Sequence, residues 1–155
     1  MGSNPTLSAR TFNKVECHCW LVAVGWWLWV PVKEGQLTRF RFKSFRVYQD
    51  AKDYCVLCRE TVQKHIEKRD KGLANQVGRS LNSIVLNIAE GSADNSDAEF
   101  GRFLGISIRS VYESVAGFDL AALHGYVDED SNRRIEEEAH KLVKQLASFR
   151  NKLKQ

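Results

Sequence analysis

The chain has 155 residues, 43% hydrophobic and 27% charged, a balance ordinary for a soluble globular protein and long enough for one domain with a sizeable core. Its 23 basic and 19 acidic side chains leave +4, too mild a surplus to argue nucleic-acid binding by itself. Proline is confined to Pro5 and Pro31, so nothing after Pro31 interrupts long helices.

Residues 1–39 differ in character from the rest. Trp20 to Val32 is an almost unbroken apolar run holding all four tryptophans, short of the roughly 20 apolar residues that span a bilayer. Arg10 and Lys14 precede it as in a signal peptide, but Pro31-Val32-Lys33 follows in place of a small-x-small cleavage site. Signal peptide, membrane-surface anchor and extra packing segment all stay open. The expectation adopted is that the natural protein starts near Leu37, with Val32 a second candidate, which sets domains at 1–39 and 40–155.

From Phe42 the apolar spacing is helical throughout. The first helix is predicted over Phe42 to Lys68, with Phe45, Tyr48, Ala51, Cys55, Cys58, Val62 and Ile66 on one stripe. Asp70-Lys71-Gly72 makes a break. The second covers Leu73 to Glu90, and Gly91 is placed to be its left-handed C-terminal cap. After a polar turn over Ser92 to Asn95, Ser96 and Glu99 form a capping box opening the third helix, Asp97 to His124, which Gly125 stops. The last begins near Asp130 or Ser131, and Ile135, Ala139, Leu142, Leu146, Phe149 and Leu153 repeat in steps of four and three. That 3.5-residue seam suits neighbours crossing at about +20°. Short connections then predict an all-α, antiparallel up-down-up-down four-helix bundle.

The cysteines form two close pairs, Cys17/Cys19 and Cys55/Cys58. In a chain of this kind they point to a reducing, cytoplasmic setting. Cys-His-Cys followed by Cys-x-x-Cys raises zinc, but Cys55 and Cys58 sit one turn apart on an apolar face, where a thiol packs as a small hydrophobe. No metal and no cofactor are expected.

A polar constellation stands out on the second and third helices: Ser80, Ser83, Asn87 and Glu90 facing Ser107, Ser110, Glu113 and Ser114. Ser83, Asn87 and Glu90 recur at i, i+4 and i+7 and so share a face. Asn87 and Glu90 are expected to reach the first turns of the third helix, where free N–H groups and the positive helix end favour a carboxylate. Glu113 is expected to find Ser110 or Tyr54. An acid–base pair of Glu90 and Glu113 is the enzymatic alternative, but no His or Cys accompanies them and no Gly-rich phosphate loop exists. The reading taken is a structural polar network of Ser83, Asn87, Glu90, Ser110 and Glu113, with no catalytic residues and no small-molecule substrate. His65 and His124 lie near helix ends, where a cation suits the negative terminus. Gly101 and Gly105 are expected to let two backbones approach closely, inside the fold or across a subunit contact.

Asn87-Ile88-Ala89-Glu90-Gly91 closing one helix, Ser110-x-x-Glu113 on the next, Gly125 ending it, the Phe45 to Ala51 opening and Gln76 together resemble the four helix bundle protein family, also called 23S rRNA-intervening-sequence proteins. The resemblance covers about Phe40 to Gln155. It implies a left-handed bundle that assembles as a ring-like homopentamer, encoded in bacterial ribosomal RNA insertions or elsewhere in bacterial genomes. Related bundles serve diversity-generating retroelements, where a basic ring surface engages reverse transcriptase and nucleic acid. No catalytic activity follows from membership.

Charge is uneven. Nine basic residues oppose five acidic ones between Phe40 and Gly72, and the C-terminus is basic again. If the first and last helices lie side by side, Arg41, Lys43, Arg46, Lys52, Arg59, Lys144, Arg150, Lys152 and Lys154 form a positive stripe able to meet RNA or DNA. A solvated face that aids solubility is the competing reading. No membrane partner is expected.

Overall fold

Apolar residues spaced three and four apart fold as helices in the computed structural model, which describes residues 40–93 and 96–153. The expectations for residues 1–39, including Cys17, Cys19 and the internal start, lie outside the described residues, as does Lys154. Four α-helices make the fold: α1 Arg46–Thr61, α2 Lys71–Gly91, α3 Asp97–Leu123 and α4 Glu129–Lys152. Among the described residues there is no strand, and no helix is long and apolar enough to cross a membrane. Helix α3 packs along both α2 and α4, and α1 packs on α2 and α4. The core gathers Phe100, Phe118, Ile66, Leu81, Ile84 and Ile88, all fully buried, each contributing about 1.5–3 kcal/mol by leaving water.

The first predicted helix is three pieces rather than one. Arg41–Ser44 is a 3₁₀ turn, Phe45 is extended (φ −76°, ψ 124°), and Val62–Ile66 closes α1 in π register. The extended Phe45 lets its ring join Phe100 and Phe149, with centroids 6.0 and 5.3 Å away. In the π turn Glu67 N–H reaches Val62 carbonyl at 2.9 Å, and both Val62 and Ile66 lie inside. Helix α2 begins within the predicted break, because the Asp70 carboxylate accepts from Leu73 N–H at 2.9 Å and caps it.

The helix ends correct two expectations. Gly91 is not a left-handed cap. It sits in the last turn of α2, followed by right-handed Ser92 whose hydroxyl donates to Ala89 carbonyl at 2.7 Å. A Cβ on Gly91 would stand 2.6 Å from Phe103 Cβ and 2.8 Å from Phe100 Cδ2, so close packing is what requires glycine there. The left-handed cap is Gly125 (φ 68°), where Gly125 N–H meets Ala122 carbonyl and Tyr126 N–H meets Ala121 carbonyl, the paired bonds of a Schellman motif. At the start of α3, Ser96 Oγ accepts weakly from Glu99 N–H at 3.4 Å. The Glu99 carboxylate goes to Arg102 (Nε 2.7 Å), which holds it below the usual carboxylate range, so the box is half made. Asp128 caps α4 through Ser131 N–H at 2.8 Å.

Candidate functional site

The seam between α2 and α3 carries most of the predicted polar residues. Ser83 Oγ and Ser110 Oγ lie 2.8 Å apart, and Asn87 Nδ2 donates to Ser83 carbonyl (2.7 Å) and Ser83 Oγ (3.0 Å). Ser110 Oγ donates to Ile106 carbonyl at 3.1 Å. Each hydroxyl has one proton, so the directions follow: Asn87 donates to Ser83, Ser83 to Ser110, and Ser110 to the main chain. A second chain runs deeper. Ser114 donates to Val111 carbonyl (2.7 Å), so the buried Tyr54 hydroxyl 2.9 Å away must donate to Ser114. Burial raises the Tyr54 pKa, with the neighbouring Cys58 adding to it. Ser107 donates across the seam to Ile84 carbonyl at 2.7 Å, and Ser80 to Val77 carbonyl at 2.8 Å.

The carboxylates stand elsewhere. Asn87 turns back along its own helix, and Glu90 is exposed rather than reaching the first turn of α3. Glu113 is also exposed and accepts from Gln76 Nε2, whose own carbonyl accepts from Arg79. Tyr54, an expected partner of Glu113, is taken by Ser114. Glu113 therefore sits level with Gln76, and the fourteen residues from there to Glu90 measure about 20 Å along the helix. Two catalytic carboxyl groups work at about 5–9.5 Å, so Glu90 and Glu113 of one chain form no acid–base pair. The Gln76–Glu113 contact is the pairing that sequence reasoning missed. Its signal was present in both residues belonging to the resemblance.

The thiols are part of the core. Cys58 is fully buried and Cys55 donates to Leu81 carbonyl at 3.2 Å. Burial pushes Cys58 up to about 12 and Cys55 up to about 11, so both stay protonated at neutral pH. Among the described residues no three His, Cys, Asp or Glu side chains gather in a way that could hold a metal. His65 lies in the π turn and His124 at the C-cap of α3.

The basic candidates divide by what they touch. Arg41 lies over the rings of Phe100 (5.6 Å) and Phe45 (6.0 Å), Lys43 over Phe40 (4.9 Å) and Lys52 over Tyr48 (5.4 Å). Arg59 donates to Asn82 Oδ1 at 2.6 Å, and Arg46 lies 3.7 Å from Asp50. Lys144 and Lys152 are exposed. Arg150 is drawn inward: its guanidinium carbon lies 3.5 Å from where a Cβ of Gly105 would be, and its Nε is buried without a partner. Gly101 and Gly105 thus make a shelf for an arginine side chain rather than for a second backbone of the same chain. Among the described residues the close approaches are at Gly91 and at Gly117, whose Cβ would meet Val77 Cγ2 at 2.5 Å.

Residues 43–148 match the family model described as 23S rRNA-intervening sequence protein. Among solved structures the chain is similar to a protein of unknown function from the S23 ribosomal protein family of Bacteroides thetaiotaomicron VPI-5482. The identity is 21%, the match covers 66% of this chain and 96% of that chain, and the TM-score is 0.59, a likeness of fold. No curated protein matches.

Proposed function

The chain belongs to the 23S rRNA-intervening sequence protein family, and from that premise we propose that it works without catalysis, as a cytoplasmic bundle that assembles with copies of itself. The helices run up-down-up-down. In support, Gly91 at the end of α2 lies against Phe100 and Phe103 near the start of α3, while Gly117 deep in α3 lies against Val77 and Leu73 near the start of α2.

One observation carries the self-assembly. Helix α3 has a second apolar stripe on the side away from the core. At about 100° per residue, Tyr112, Ala116, Leu120 and Leu123 fall within about 80° of one another, opposite Phe100, Leu104, Val111 and Phe118. Tyr112, Leu120 and Leu123 are 64%, 48% and 79% exposed. Beside them Tyr112, Val115 and Val143 line a mainly apolar groove of about 420 Å³ between α3 and α4. A helix apolar on two sides needs a second neighbour. By the family resemblance the assembly is a homopentamer. Light scattering on the full chain tests this: a multiple of the 17.7 kDa chain mass is expected at micromolar concentration, and a monomer overturns it.

A second reading, a role in a nucleic-acid process, is favoured by the basic residues collected where α1 begins and α4 ends, Arg41, Lys43, Arg46 and Lys152. Reverse transcriptase as a partner rests on the resemblance alone. Binding of RNA or DNA that weakens steeply with added salt supports this reading; assembly with no nucleic-acid affinity removes it.

A further inference from the structure

The basic stripe is not uniform, and its composition locates a narrower site. Along the middle of the α1–α4 seam a groove of about 390 Å³ is lined by Asp50, Asp53 and Glu138 as well as Arg46, Arg134 and Lys141. A phosphate there meets as many carboxylates as cations. At the end of the seam the lining changes to Phe45, Arg46, Gln145, Ser148, Phe149 and Lys152 around about 600 Å³, and no lining residue is acidic. Arg46 is 3.7 Å from Asp50, but its side chain is 91% exposed, so that ion pair holds it weakly. Helix α1 starts at this groove with neither a capping side chain nor an acid in its first turn, which adds free N–H groups to the same field.

Aromatic surface accompanies the charge. Phe40, on the turn leading into the groove, is 70% exposed. Its ring is tilted against Phe42 at 5.7 Å and lies under the Lys43 ammonium at 4.9 Å. Phe42 in turn meets Tyr48 edge-on at 4.8 Å, so the outer ring stands on a packed base. Cations beside an exposed ring held in place suit one class of ligand: a strand whose phosphates meet the charges and whose unpaired base stacks on the ring. A duplex offers the phosphates but no free base face.

We propose that the groove at the start of α1 and the end of α4 takes single-stranded nucleic acid, with Arg46 and Lys152 on phosphates and Phe40 as the stacking platform. This rests on the nucleic-acid reading above and sharpens it from charge to strandedness. The test uses the full chain with fluorescent oligo-U and oligo-dT of about 12 nucleotides, within the span such sites cover, and a duplex of equal length, read by anisotropy. Single strands are expected to bind about tenfold tighter than the duplex. Phe40→Ala is expected to weaken strand binding about fivefold or more, and Phe40→Trp to retain it. Arg46→Ala and Lys152→Ala are each expected to flatten the salt dependence by about 0.7 in log–log slope. All three side chains are exposed, and unchanged helicity by circular dichroism confirms intact folds. Equal binding of duplex and strand, or an indifferent Phe40→Ala, overturns this proposal and leaves the broader reading standing. Arg46 and Lys152 variants with unchanged salt slopes overturn the groove assignment. Absence of binding to either probe overturns both.

Discussion

The α2–α3 seam and the α1–α4 seam solve the same packing problem in opposite ways. Between α2 and α3 the residues are small: Gly91 and Gly117 admit Phe103 and Val77, and Ser83, Ser107 and Ser110 send hydroxyls to neighbours within 3.1 Å. Between α1 and α4 the lining is long and charged, and the grooves of about 390 and 600 Å³ stay open to water. Polarity can be buried where a hydroxyl reaches a carbonyl without moving; charge has to remain where water reaches it. One seam therefore sets helix register, and the other is free to present a surface.

The largest test of that division lies where the two seams meet. Phe100 is 1% exposed and its ring contacts Phe149 at 5.2 Å and Phe45 at 6.0 Å, joining α3 to both sides of the open seam at one end. Phe100→Ala is expected to lower stability by about 3–5 kcal/mol in urea unfolding, and Phe149→Ala, half-buried, by clearly less. Equal losses would mean that the open seam is as tightly packed as the closed one. Alkaline pH should act next. Cys58 rises from an ordinary 9.0 to about 12 because burial disfavours the thiolate. The folded state then holds a proton that the unfolded state releases, so its stabilising effect is complete below about pH 9 and is lost as pH rises toward 12. By pH 10.5 the loss is about 2 kcal/mol. Cys58→Ala should remove part of the fall in urea midpoint between pH 8 and 10.5, the raised Cys55 and Tyr54 adding slopes of the same sign; an unchanged slope would show that Cys58 contributes nothing to it.

How much of this was legible in the sequence depended on whether a signal is periodic. The helices and the last stripe, Ile135 to Leu146, follow from spacing alone, because burial repeats with the turn. The π turn at Val62–Ile66 does not: both residues lie inside in either register, so the pattern is the same with or without it. Gly91 shows the limit of glycine as a signal, since a left-handed cap and a close contact call for the same residue, and only the distance to Phe103 separates them. Glu90 and Glu113 share sequence neighbourhoods with Asn87 and Ser110, yet they point to water. A face defined by i, i+4 and i+7 is about 60° wide at its edge, enough to carry one member out of the seam. The inward turn of Arg150 was not readable at all, because it depends on Gly105 of another helix.

The glycines allow the comparison to be made within one helix pair. A Cβ at Gly117 meets Val77 Cγ2 at 2.5 Å, whereas one at Gly78 meets nothing within 4 Å. Both substitutions to Ala gain about 1 kcal/mol of helix propensity. Gly78→Ala should keep that gain and raise the melting midpoint. Gly117→Ala should lose it to overpacking against a stiff Val side chain and end about 1–2 kcal/mol less stable. If both variants are stabilised, the α2–α3 contact is looser than the register argument requires.

The smallest effect separates buried from exposed polarity. Ser83 and Ser110 are joined through one proton at 2.8 Å inside the seam, while Gln76 and Glu113 are joined at its exposed edge. Removing Ser83 leaves Ser110 still donating to Ile106 carbonyl and Asn87 still donating to Ser83 carbonyl, so no group is orphaned. Ser83→Ala should therefore lower stability by only about 1 kcal/mol, and Ser110→Ala, which takes away the acceptor of the Ser83 hydroxyl, by about 1–2 kcal/mol. The double-mutant cycle isolates what the shared bond adds, expected at about 0.5–1 kcal/mol for Ser83 and Ser110. For Gln76 and Glu113 the coupling should fall below about 0.5 kcal/mol, and it should shrink further in high salt because that edge is charged and wet. Coupling of equal size in the two pairs would place register control on the surface as much as within the seam. A salt-sensitive Ser83–Ser110 term would mean that water enters where the hydroxyl chain is drawn closed.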